Sequence, residues 1–267
     1  MVGIAEHIAR ERQLVGGKRL RYSLDFARYY HHWYNGILLG LLTPDSSLSV
    51  LDCGCGTGVL LPALQQRYRR AVGLDLCMEN LLEAQGSEGR TPLVVGDVEN
   101  LPVAPQSFDQ IVCRGVLHRL SDVGLGLHQL FAALKDGGAL VISEPIGDSR
   151  ALNALRAAAL AAGTHPFPGR RVEPRTTREW IGAAHAVGFR TVRWFHLGYL
   201  AFPFLGFPEA ISLMRYAPSP MTLAKILLRL DRGLARIPYL NTWSWQAVFH
   251  FHKPAASARA HRGSRSG

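Results

Sequence analysis

From residue 48 onward, short apolar runs alternate with stretches in which apolar residues recur every three or four positions. Short runs of that kind mark buried strands, the longer period marks amphipathic helices, and their alternation builds βαβ units around a parallel sheet. The pattern predicts strands over Leu48–Asp52, Ala71–Asp75, Leu93–Gly96, Phe108–Cys113 and Ala139–Ser143. Between them it predicts helices over Leu60–Arg70, Glu79–Gln85 and near Asp122–Leu134, and the turn Lys135-Asp136-Gly137-Gly138 leads into the fifth strand. A further helix over Arg178–Val187, stopped by Gly188, precedes strands over Thr191–His196 and Trp245–His252. The last strand alternates as a strand at a sheet edge does. The order is that of an α/β chain with a doubly wound sheet.

Two segments fall outside this alternation. In residues 1–45, Tyr22, Phe26, Tyr29, Tyr30, Trp33, Ile37 and Leu41 recur at helical spacing, predicting a helix with one aromatic stripe. Residues 198–240 form a long excursion between the last two strands, and connections of that length are usually functional. Within it, Leu223, Ile226, Leu227, Leu230, Leu234 and Ile237 form an apolar stripe, while Lys225, Arg229, Arg232 and Arg236 fall on another face. The chain therefore divides into an N-terminal helical segment (1–45), a core (46–197), a helical insertion (198–240), a last core strand (241–254) and a basic tail (255–267) expected to be disordered.

Composition changes this picture in one respect. The net charge of +10 is uneven: residues 1–150 hold 14 Lys/Arg and 16 Asp/Glu, whereas residues 151–267 hold 16 and 4. The basic character thus belongs to the second half. A basic amphipathic helix there suits either an anionic bilayer surface or a lid packed on its own protein with a solvated basic face. No run of about 18 apolar residues suggests a membrane span. The N-terminus lacks an apolar signal core, and Cys53, Cys55, Cys77 and Cys113 lie in or beside core strands. These features point to a cytoplasmic protein with reduced thiols, in possible reach of a membrane. Cys53-x-Cys55 has poor zinc spacing and no completing ligands, so no metal site is expected.

The chemistry gathers at the ends of the predicted strands. Asp52-Cys53-Gly54-Cys55-Gly56-Thr57-Gly58 joins a strand pattern to a helical one, and so tight a turn needs residues without Cβ if the backbone is to bend and approach a ligand. A dinucleotide fingerprint, G-x-G-x-x-G, fails in both frames, which place Val59 or Leu61 at the third glycine. Asp75 ends the second strand, 17 residues after Gly58, where a carboxylate can accept hydrogen bonds from ribose hydroxyls. Gly96-Asp97-Val98-Glu99-Asn100-Leu101-Pro102 follows the third strand, and Cys113-Arg114-Gly115-Val116-Leu117-His118 the fourth.

The G-x-G-x-G spacing preceded by Asp52 resembles motif I of class I S-adenosylmethionine (SAM)-dependent methyltransferases. Together, the GD-x-x-x-LP run, Phe108-Asp109-Gln110-Ile111, the strand-4 exit and the Lys135-Asp136-Gly137-Gly138-Ala139-Leu140 run resemble the ubiquinone and menaquinone biosynthesis branch (methyltransferase type 11). The resemblance covers about residues 48–145. It implies a seven-stranded Rossmann-like sheet with an antiparallel last strand, and SAM as cofactor. It implies that Asp52, Gly54, Cys55, Gly56 and Gly58 form the cofactor turn and that Asp75, with Leu76 beside it, holds the ribose. Asp97 and Val98 would hold the adenine, and backbone groups at the strand-4 exit, Arg114 among them, would line the methionine end. The N-terminal segment and the insertion would form the substrate lid, with Tyr22, Tyr29, Tyr30, His31 and Trp33 over cofactor or acceptor.

Methyl transfer from a sulfonium needs an aligned nucleophile and exclusion of water, with a base where the acceptor must lose a proton. His118 and Glu144, at the exits of strands four and five, are the candidate catalytic groups. The apolar and aromatic insertion predicts a hydrophobic small-molecule acceptor such as a quinone, isoprenoid, lipid or polyketide. The alternatives are a small polar metabolite, an RNA, or a cofactor-binding module without turnover. The Pro-Pro-aromatic signature of amino-base methylases and the cysteine nucleophile of cytosine methylases are both missing, which argues against a nucleic-acid acceptor. Oligomeric state leaves no mark.

Overall fold

The computed structural model describes residues 22–88, 91–161, 174–206, 212–237 and 240–255. The expectations for residues 1–21 and for the tail from residue 256 lie outside the described residues. Seven strands form one sheet: β1 (Asp45–Cys53), β2 (Tyr68–Asp75), β3 (Leu93–Val95), β4 (Phe108–Arg114), β5 (Leu134–Pro145), β6 (Arg190–Leu197) and β7 (Gln246–His252). Their spatial order is β3-β2-β1-β4-β5-β7-β6; the first five run parallel, and β7 pairs antiparallel with both β5 and β6. The order reverses beside β1, and in such sheets ligands bind outside the carboxyl ends of the strands flanking the reversal.

The helices are α1 (Asp25–Leu39), α2 (Leu61–Gln65), α3 (Met78–Glu88), α4 (Val123–Ala133), α5 (Arg150–Ala161), α6 (Thr177–Val187) and α7 (Pro220–Leu234). Side chains alternate along each strand, so each strand supplies two layers of core. Leu51, Ile111, Leu140 and Phe249 face α4 and α6, where Leu127, Leu130, Trp180 and Ala184 are buried. Val50, Val112, Val141 and Val248 face the other way, onto Tyr30, Tyr34 and Leu38 of α1 and Ala224 and Leu228 of α7. α6 begins with a capping box between Thr176 and Glu179 and stops at Gly188, whose φ of 111° closes the helix in the left-handed conformation.

Several expectations needed correction. β7 is an interior strand rather than an edge: both its neighbours hydrogen-bond to it, and the edge is β6. The helix expected over Leu60–Arg70 ends at Gln65, and β2 begins at Tyr68, whose buried ring supplied the last apolar position of the helical pattern. The Lys135–Gly138 turn is an irregularity within a longer β5, where the register against β4 jumps between Phe108 and Gln110. Helix α5, an Ala-rich stretch, was not among the elements expected from the sequence.

The aromatic stripe of α1 is rotated from its expected position. Phe26, Tyr30, Tyr34 and Leu38 are its core face, whereas Tyr29 is exposed and Trp33 and Ile37 flank the core. Its hydroxyls and amides reach the carboxyl edge of the sheet: Tyr34 bonds the Ser143 hydroxyl and donates to Gln246 Oε1 at 2.6 Å. In the insertion, the buried carboxylate of Asp231 on α7 accepts the backbone N–H groups of Tyr199 (3.0 Å), Leu200 (2.7 Å) and Ala201 (3.1 Å). This fixes which face of α7 turns inward. Replacing Asp231 with Ala strands those amides and is expected to cost about 2–4 kcal/mol of stability. Urea unfolding followed by far-UV circular dichroism checks it; a loss below about 1 kcal/mol would contradict the anchoring role.

Candidate active site

The turn leaving β1 is bound to β2 before any ligand is considered, because the N–H groups of Gly54 and Cys55 donate to the Leu74 carbonyl at 2.7 and 2.9 Å. Gly54 has φ of 77°, and a Cβ there would lie 2.1 Å from Val116 Cγ2. That glycine is required by the protein's own packing. Gly56, with φ of 56°, differs: nothing lies within 4 Å of where its Cβ would be. The space there is open toward the carboxyl edge, as a ligand-facing backbone requires.

Three carboxylates stand around this turn. Asp75 accepts from Gly56 N at 2.8 Å through Oδ2, and from Cys77 N at 2.9 Å and Asn80 Nδ2 at 3.0 Å through Oδ1. Asp97 closes a local turn by accepting from Glu99 N at 2.9 Å, and Val98 beside it is buried. Leu76 is half-buried between Asp75 and Cys77. Asp52 is buried, and its Oδ2 meets no hydrogen-bond partner. Burial pushes its pKa up to about 7; the Arg114 charge pulls the other way and the Asp75 charge adds to the rise. The Cys55 thiol is raised chiefly by burial and further by Asp52 and Asp75, so it stays a neutral thiol.

At the exits of β4 and β5 the two candidate catalytic groups meet. Glu144 is fully buried and accepts the backbone N–H groups of Val116 (3.0 Å), Leu117 (2.8 Å) and His118 (3.3 Å). It also contacts His118 Nδ1 at 2.6 Å. With its oxygens so engaged, Glu144 is a positioning group rather than a free base. In a neutral His118 ring the proton then sits on Nδ1, facing Glu144, and the lone pair sits on Nε2. The ring packs beside Gly115, at the mouth of the edge.

Arg114 points away from the glycine turn, toward α1. It donates to Asn35 Oδ1 at 2.7 Å, meets His31 Nδ1 at 2.6 Å, and lies 4.4 Å above the Tyr34 ring. Its side chain therefore belongs to the α1 contact, and only its backbone stays at the cofactor edge. Of the residues expected over the acceptor, His31 is buried in this cluster and Tyr22 packs on it with ring centroids 5.2 Å apart. Tyr30 is core. Tyr29 and Trp33 face α7, under Lys225 and Arg232 respectively. Asn80 and Tyr34 were not singled out in the sequence. Tyr34 had a signal, standing four residues after Tyr30 on the same helix face; Asn80 had none.

Fold and site together define the class. Residues 51–142 match the family described as Methyltransferase domain, and the sheet around them has the strand order of the Rossmann-like methyltransferase fold. Among curated proteins, the malonyl-[acyl-carrier protein] O-methyltransferase of Pectobacterium atrosepticum is 31% identical over 106 residues, 40% of this chain and 42% of that protein. The demethylmenaquinone methyltransferase of Corynebacterium kroppenstedtii is 34% identical over 103 residues, 39% of this chain and 44% of that protein. The chain thus spans less than half the length of these relatives. Among solved structures, a SAM-dependent methyltransferase of Thermotoga maritima shares the fold with a TM-score of 0.63 at 16% identity, covering 92% of this chain and 98% of that one.

The edge fits SAM on three observations: open space at Gly56, a buried Asp52 oxygen awaiting a donor, and an acid at the tip of β2. Two predictions follow from it. Gly56→Val adds side-chain atoms to the open space and is expected to abolish detectable SAM binding by calorimetry, while chain strain lowers stability by only about 1–2 kcal/mol. Asp75→Ala is expected to weaken SAM binding by about 1–3 kcal/mol; unchanged affinity would remove it from the ribose role. The pKa of Asp52 is raised on folding, so its contribution to stability is present at pH 4 and lost as pH rises through 7. The ligand-free protein is therefore expected to lose on the order of a few kcal/mol between pH 4 and 8 relative to Asp52→Asn, as read by urea melts.

Proposed function

We propose that the protein transfers a methyl group from SAM to a hydrophobic small-molecule acceptor that loses a proton in the reaction, such as a phenol or enol. The observation that carries this reading is the Glu144–His118 pair at the cofactor edge. SAM, when bound, would supply an electrophilic methyl on a sulfonium, with the C–S electron pair returning to sulfur as the acceptor's oxygen or carbon takes the methyl. The acceptor proton passes to His118 Nε2. Glu144 holds the ring's tautomer and, through the amides of Val116 and Leu117, the turn that carries it. Asp52, ionised once a cation lies beside it, and Asp75 hold the two ends of the cofactor.

The apolar character of the acceptor is supported by what flanks the edge beyond Glu144. Phe202 and Trp245 lie there with ring centroids 6.2 Å apart. The name of one relative, demethylmenaquinone methyltransferase, is in keeping with such an acceptor.

The test is release of S-adenosylhomocysteine by the full chain against a panel of quinols, isoprenoid phenols, fatty and polyketide enols, small amines and RNA. Turnover is expected with an apolar hydroxylated acceptor. His118→Ala is expected to lower kcat about 10²–10⁴-fold with SAM affinity unchanged, and Glu144→Gln to lower it while shifting the pH profile. Turnover with small amines or RNA alone overturns the acceptor class. Tight SAM binding without turnover on any acceptor overturns the catalytic reading.

A further inference from the structure

We infer that the outward face of α7 seats this protein on an anionic bilayer surface. The inference is independent of the methyl-transfer reading. Ala224, Leu228 and Asp231 face the core, and the three amides on Asp231 hold the helix in that rotation. The sequence alone left open a second arrangement, in which the apolar stripe packs on the protein and only the basic face meets water. The helix is turned so that much of the stripe is wet. Leu223, Ile226, Leu230 and Ile237 are 37%, 44%, 49% and 46% exposed. They follow one another by three, four and seven residues and make one continuous arc along the helix and just past its end.

The adjoining arc of the exposed surface is basic: Lys225, Arg229, Arg232 and Arg236 are all exposed. From Pro220 to Ile237 the one acid is Asp231, which is buried. Among the described residues nothing covers the arc, and the adjacent segment Ser212–Tyr216 adds Leu213 and Tyr216, both largely exposed. An exposed apolar stripe beside cations, with no exposed acid, is complementary to acyl chains below a layer of anionic headgroups. A second copy of the chain would set four cations against four. A helix of 15 residues is about 22 Å long and too charged to cross a bilayer, so it lies along the surface. Lys225 and Arg232 also brace α1 through the Tyr29 and Trp33 rings, which ties the seated face to the helix that Arg114 contacts through Asn35 and His31.

Flotation of the full chain with phosphatidylcholine vesicles, with and without phosphatidylglycerol, tests this. Binding is expected with phosphatidylglycerol at low salt and is expected to fall with salt. Ile226→Ser/Leu230→Ser and Arg229→Gln/Arg236→Gln change exposed side chains only; each is expected to reduce binding about tenfold or more with an unchanged melting temperature. The inference is overturned by any of three results: no binding of the wild type to anionic vesicles, binding that neither pair of substitutions weakens, or a dimer in sedimentation that Ile226→Ser/Leu230→Ser dissociates.

Discussion

Loop amides that neither a helix nor a strand can pair must still find an acceptor once they are buried, and here carboxylates supply it. Asp75 takes the amides of Gly56 and Cys77, Glu144 those of Val116, Leu117 and His118, and Asp231 those of Tyr199, Leu200 and Ala201. Asp148 does the same for Thr177 at the start of α6. The irregular backbone at the carboxyl edge is thus solvated by acids. Against that background Asp52 is the exception. It is buried, yet one of its oxygens meets nothing, and burial raises its pKa.

This division separates scaffold from site. An acid saturated by amides positions the loop that bears them, as Glu144 does for the Val116–His118 turn. The same logic applies to Arg114. A guanidinium held by Asn35, His31 and the Tyr34 face fastens the N-terminal helix to the end of β4, and its charge is felt by Asp52. Among the described residues, the edge presents a glycine backbone over open space, an acid with one unpartnered oxygen, and the His118 imidazole.

The order of elements and the cofactor edge were legible in the sequence because both rest on local rules. Strand periodicity, positive-φ glycines and acids at strand tips act within a few residues. The errors arose where distant contacts decide. Tyr68 reads as the next turn of a helix until β1 claims it as a strand. Tyr29 and Trp33 read as lid aromatics until α7 brings Lys225 and Arg232 over them. The rotation of α7 could not be read from its own pattern, because the choice between two amphipathic faces is made by Asp231 and three amides some thirty residues earlier. The role of Asn80 was likewise hidden, since nothing in its neighbourhood marks it as the donor that steadies Asp75.

The position of β7 has a consequence for how the chain acquires its structure. β5 and β6 do not touch in the finished sheet; the strand that joins them comes after the whole insertion, more than fifty positions along the chain from the end of β6 to the end of β7. Until that strand is made, the newly synthesised chain carries β5 as an open edge and β6 as an orphan ribbon, both rich in apolar side chains. Such unpaired strands are what chaperones shield and what aggregation recruits. Closure of this sheet is therefore a late, long-range event, and the alternating Phe249 and Phe251 that complete the core are among the last residues to enter it.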